Sequence, residues 1–112
     1  MNEAAAQKIA SRLAELWQTS RPTILERMTA LHAAEAALAV NPLDQEMREQ
    51  GREAAHKLSG VLGIFGLPQG SEIAAALEEL LKSPAPLLPE DLAGLRTRIA
   101  DLDAVIASRS AQ

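Results

Sequence analysis

The sequence predicts an all-α protein, an antiparallel four-helix bundle with an additional N-terminal helix, and three observations carry that expectation. Alanine and leucine dominate, and the aromatic residues reduce to Trp17 and Phe65, so the residue types that strands favour are scarce. Apolar residues recur three and four positions apart in five separate stretches. Short breaks rich in proline, glycine and asparagine divide those stretches. A chain of 112 residues is long enough for one core, so 1–112 reads as a single domain.

The first helix, about 3–18, lines up Ile9, Leu13, Leu16 and Trp17. Thr19-Ser20-Arg21-Pro22 then interrupts the pattern. Thr19 or Ser20 can cap a new helix, and Pro22 suits a first turn, where its missing N–H has no partner to lose. A second helix over about 21–39 follows, with Ile24, Met28, Leu31 and Leu38 inward and Glu35 where the stripe calls for an apolar side chain. A single helix kinked at Pro22 is the alternative. His32 lies beside the stripe and reads as a boundary or surface residue.

Asn41-Pro42 marks a turn and Asp44 is placed to cap a third helix over about 44–64. Its inward face is Met47, Gly51, Ala54, Leu58, Val61 or Leu62, and Phe65. The small residues Gly51, Ala54 and Ala55 predict close approach of a neighbouring helix. After the loop Gly66-Leu67-Pro68-Gln69-Gly70, a fourth helix over about 71–82, capped by Gly70 or Ser71, carries Ile73, Ala76, Leu77, Leu80 and Leu81. Pro84, Pro86 and Pro89 stiffen the next connection. The last helix, about 90–109, holds the clearest packing seam in Leu92, Leu95, Ile99, Leu102 and Ile106, and Glu90-Asp91 at its start suits the helix dipole.

The outward face of the third helix is the unusual one: Glu49, Arg52, Glu53, His56, Ser59, Gly60 and Gly63. Each glycine inside a helix costs about 0.5–1 kcal/mol relative to alanine, and two of them stand within two turns of His56. A partner that must come close to the imidazole accounts for that arrangement. An exposed imidazole titrates near about 6.5, so at pH 7 one ring nitrogen offers a lone pair, a competent nucleophile for a phosphoryl group brought by another protein.

Other function classes recede. No cysteine is present, which removes disulfides and thiol chemistry, and two histidines do not make a histidine-rich metal site. A net charge of −4 argues against nucleic acid as a partner. No segment has the length and apolarity of a membrane span and no leader pattern opens the chain, so the expectation is a cytoplasmic protein without a membrane partner. No set of polar groups converges on a pocket as a self-contained catalytic site requires, so the chain does not read as an enzyme.

His56-Lys57-Leu58-Ser59-Gly60, then Phe65-Gly66, then Leu77-Glu78 on the next helix, together resemble the histidine-containing phosphotransfer (HPt) domains of bacterial two-component phosphorelays. The Phe-Gly pair is also similar to the phosphoacceptor domain of chemotaxis histidine kinases, and the resemblance extends over most of Leu16 to Leu81. It implies a helical bundle whose exposed histidine takes a phosphoryl group from a receiver-domain aspartyl phosphate, or from a histidine kinase, and passes it to a receiver aspartate. Carried over, His56 is the phosphoacceptor and Gly60 the bare spot that admits the receiver's loops; Gly63 joins it by spacing. The Mg²⁺ that positions the phosphoryl group belongs to the receiver, and this chain needs no cofactor of its own. A monomer is expected.

One departure stands out. The family usually has a lysine three residues after the histidine, and here that place holds Ser59. Lys57 is rotated by about 100° from His56 on a helix, which leaves Arg52 as the better-placed cation, with Glu49 and Glu53 opposing it. A slower or less stable phosphorylation is therefore expected. The missing lysine also motivates a rival reading, an HPt-like module that docks receiver or kinase domains without being phosphorylated. A dimeric kinase helix pair fits less well, because Lys57 stands where such kinases carry an acidic residue. Trp17 reads as an anchor, Phe65 as a core plug, and Glu78 and Glu79 as a solvated face.

Overall fold

Trp17, Ile24, Met28, Leu31, Ala34 and Leu38 fall on one helical face, and that apolar stripe continues unbroken past Pro22. In the computed structural model, which describes residues 2–111, the first two expected helices are accordingly one: α1 spans Glu3–Val40, followed by α2 (Gln45–Ile64), α3 (Pro68–Lys82) and α4 (Pro89–Ser110). Residues 1 and 112 of the expected domain lie outside the described residues. Pro22 removes a helical donor at a local cost of about 3 kcal/mol. The carbonyl it would have served belongs to Gln18, and both residues are exposed, so water can satisfy it. Burying Ile24, Met28 and Leu31 contributes about 1.5–3 kcal/mol each, which outweighs the missing bond.

The expected extra helix is thus the N-terminal part of α1, and it does not pack alongside the bundle. Trp17 meets Phe65 at the end of α2 and Arg109 at the end of α4, so residues 3–16 run beyond the bundle's end. The molecule measures 53 × 21 × 20 Å, and Ile9 is 51% exposed.

The remaining boundaries follow from local chemistry. Asp44 caps α2 as expected, its side chain accepting from the Met47 N–H at 3.0 Å. At the far end Gly66 turns the chain at φ 69°, with the Leu67 N–H bonded to the Leu62 carbonyl (3.0 Å) and the Gly66 N–H to that of Gly63 (3.1 Å). That paired stop lets α3 begin at Pro68 rather than at residue 71, with proline in the first turn. Ser71 is therefore not a cap. At the start of α4 the Asp91 carboxylate accepts from the Leu88 N–H at 2.9 Å.

The helices pack in chain order, α1 on α2, α2 most extensively on α3, α3 on α4, and α4 back on α1. The predicted seam holds: Leu95, Ile99, Leu102 and Ile106 are buried, with Leu92 half-buried. Among the described residues one charged side chain is buried. Arg48, 2% exposed, donates Nε to the Leu81 carbonyl at 3.0 Å and Nη1 to that of Ala85 at 2.7 Å, fastening the end of α3 and the connection after it to α2.

Gly51 sits where α2 lies close against both α1 and α3. A Cβ there would stand 2.8 Å from the Ala34 Cβ and 3.2 Å from Leu81 Cδ1, whereas one at Gly60 meets nothing within 4 Å. Gly51→Val is expected to lower stability by about 1–3 kcal/mol through overpacking. Gly60→Ala is expected to raise it by about 0.5–1 kcal/mol through helix propensity. Urea midpoints of the two variants check both signs.

Candidate functional site

Rotation along α2 decides which side chains share a surface. Leu58 and Leu62 anchor the helix to the core, so His56, between them and the solvent, is turned outward with 67% of its side chain exposed. Gly60 and Gly63, one and two turns further on, are exposed as well. Gly60 is open surface, with nothing within 4 Å of an added Cβ, whereas Gly63 borders α3, where a Cβ would lie 3.6 Å from Ser71 Oγ; both differ from buried Gly51.

The α2–α3 packing brings a second group to the ring. Glu78, from the middle of α3, sets its carboxylate 3.0 Å (Oε2) and 3.2 Å (Oε1) from His56 Nδ1, with only 19% of its side chain exposed. The expectation of a solvated face is corrected for Glu78 and holds for Glu79, which is exposed and loosely paired with Lys82 at 3.9 Å. An ionised carboxylate can only accept, so the proton of the neutral ring resides on Nδ1. Nε2 is left with its lone pair and makes no hydrogen bond among the described residues.

The cations around His56 are engaged. Arg52, half-buried, gives Nε and Nη2 to Glu49 at 2.9 and 2.6 Å and Nη1 to Glu78 at 3.4 Å. The hydrogen bond from Arg52 holds the Glu49 carboxyl below its ordinary range, and the same bond raises the guanidinium. Lys57 reaches back to Glu53 at 2.9 Å rather than toward His56, and its hydrogen bond lowers the Glu53 carboxyl. The site thus holds two cations against the three carboxylates of Glu49, Glu53 and Glu78.

Ser59, three residues after His56, faces α3. Ser71 Oγ donates to the Ser59 carbonyl at 2.7 Å and lies 3.4 Å from Ser59 Oγ. Neither charge nor a free ammonium stands at that position. His32 is remote from the site, bonded through Nε2 to Asp103 Oδ2 at 2.8 Å across α1 and α4. Among the described residues no group of three or more His, Asp or Glu side chains is arranged to hold a metal ion, and no helix is long and apolar enough to cross a membrane.

The family model described as the Hpt domain matches residues 5–105. A curated relative, protein RcaC of Microchaete diplosiphon, is 33% identical over 96 residues, an alignment covering 86% of this chain and 15% of that protein. No solved structure matches the chain.

Proposed function

Because the chain belongs to the Hpt domain family, whose members are phosphotransfer modules of phosphorelays that meet receiver domains and kinases, we propose that His56 is its phosphoryl acceptor. The observation that carries this reading is the exposed imidazole bonded through Nδ1 to Glu78, with Nε2 bare. In the proposed step the Nε2 lone pair attacks the phosphorus of a receiver's aspartyl phosphate. The N–P bond forms as the P–O bond breaks, and the electron pair leaves with the donor carboxylate. The proton stays on Nδ1, so the phosphorylated ring is cationic and its charge faces the Glu78 carboxylate. The reverse step, on a second receiver, returns the phosphoryl group to an aspartate and the ring to neutrality. With a kinase as donor the leaving group is ADP.

Most of the catalytic positioning belongs to the partner, whose Mg²⁺ neutralises phosphoryl charge during transfer. The surface around His56 suits that division: Gly60 leaves room on one side, and Arg52 and Lys57 are paired with carboxylates rather than turned to the phosphoryl oxygens. The same surface makes this chain a poor reservoir. Ser59→Lys is expected to lengthen the phosphohistidine lifetime by about two- to five-fold, the value of one exposed ion pair. Decay of ³²P-labelled protein at neutral pH checks it.

The test of the function is incubation of the chain with a phosphorylated receiver domain and Mg²⁺. Label that is acid-labile and alkali-stable, the behaviour of phosphohistidine, is the expected result. Absence of label with every receiver and kinase tried, while binding persists, would replace this reading by that of an unphosphorylated docking module.

A further inference from the structure

Assigning the acceptor role to His56 gives Glu78 a task but leaves Arg52 without one. A glutamate on α3 has three rotatable bonds between its backbone and the carboxylate, and its contact with one exposed ring, at 3.0 and 3.2 Å, is a hold from one side only. The second hold comes from Arg52, one turn before His56 on α2. Its planar fork is fixed on one edge by Glu49 through two bonds, at 2.6 and 2.9 Å, and the remaining Nη1 reaches Glu78 Oε2 at 3.4 Å. Glu78 Oε2 is also the oxygen nearest His56 Nδ1. The four side chains therefore form one line, Glu49 to Arg52 to Glu78 to His56. Its inner pair is shielded, with 28% of Arg52 and 19% of Glu78 exposed.

We propose that Arg52 is a positioning residue that fixes Glu78, and through it the tautomer of His56 that keeps Nε2 bare; this rests on His56 being the acceptor. The hydrogen bond from Arg52 limits the orientations open to the carboxylate, which is thereby kept facing Nδ1, where it accepts from the ring. Lys57 has no such part, because its ammonium is turned to Glu53. Arg52 does not need to touch the phosphoryl group, and its commitment to two carboxylates removes it from that task.

The molecule contains its own reference for the test. His32 meets Asp103 through Nε2, so its proton resides on Nε2, the opposite tautomer from His56. ¹⁵N NMR of the histidine-labelled full chain, held at a pH where both rings are neutral, should show the two rings with opposite signatures. In Arg52→Gln the His56 pattern is expected to move toward the Nε2–H form while His32 is unchanged, and phosphoryl uptake from a receiver is expected to slow by about two- to ten-fold. Arg52→Lys, which lacks the fork, should fall between. Glu49→Gln, a change at an exposed position, should shift His56 in the same direction and serves if Arg52→Gln does not fold. An unshifted His56 signature in the folded variants would overturn the proposal, whether or not the rate falls. Should no variant, nor the wild type, take up phosphate, the acceptor reading fails, while the tautomer shift still decides the role of Arg52.

Discussion

His56→Gln is expected to lose all acid-labile label in the phosphoryl-uptake assay while its melting temperature moves by less than about 3 °C. Glutamine preserves polarity and approximate size but has no ring nitrogen lone pair, so no N–P bond can form. Stability should be nearly unaffected because the imidazole is largely in solvent and bonds only to Glu78, which keeps Arg52. The paired control is His32→Gln, which should label as the wild type does. Label retained in His56→Gln and lost in His32→Gln would move the acceptor to α1.

The second large effect concerns stability. Trp17→Ala is expected to lower the unfolding free energy by about 3–5 kcal/mol, read from urea denaturation followed by circular dichroism. Trp17 is fully buried where α1 leaves the bundle, edge-on to Phe65 at 5.2 Å and beneath the Arg109 guanidinium at 5.2 Å. Removing it empties the junction of α1, α2 and α4. Its Nε1 has no protein partner among the described residues, and a buried unmade hydrogen bond costs about 1–3 kcal/mol. Trp17→Phe, which discards that donor and keeps an aromatic ring, should therefore cost much less, within about 1.5 kcal/mol of wild type. A loss as large as that of alanine would show that the full indole shape is what closes this end.

How far residues were legible depended on how local their causes are. Asp44 declared the start of α2 because a capping carboxylate acts three residues away. The seam from Leu95 to Ile106 and the outward turn of His56 both follow from helical periodicity, which needs no knowledge of the neighbours. The resemblance drawn from His56 to Gly60, Phe65-Gly66 and Leu77-Glu78 led to the same family that the comparison identifies. It assigned no role to the Glu78 carboxylate, which by composition alone was one of two adjacent acids on a helix.

The misread positions share a different cause. Pro22 is a helix breaker by local rules, and it was overruled by a buried stripe running from Trp17 to Leu38. Ser71 has the chemistry of a cap, but Pro68 had already opened α3, and the hydroxyl went to the Ser59 carbonyl instead. Arg48, for which no local pattern signals burial, is buried because the end of α3 and the connection after it bring two carbonyls to it. Glu78 and Glu79 are adjacent acids in the chain, and the packing of α3 on α2 turned the first of them inward.

By itself, the sequence determined the helical content, the core faces and the exposure of His56, because each is a property of residues within one or two turns of one another. Only the tertiary structure decided that Glu78 meets His56 Nδ1, that Arg52 stands behind Glu78, and that Ser59 faces Ser71. The relative rotation and register of α2 and α3 govern all three. Those are set by the packing of Gly51 against Ala34 and Leu81 and by burial of Leu58, Leu62 and Leu77, contacts between residues too distant in the chain for any local pattern to express.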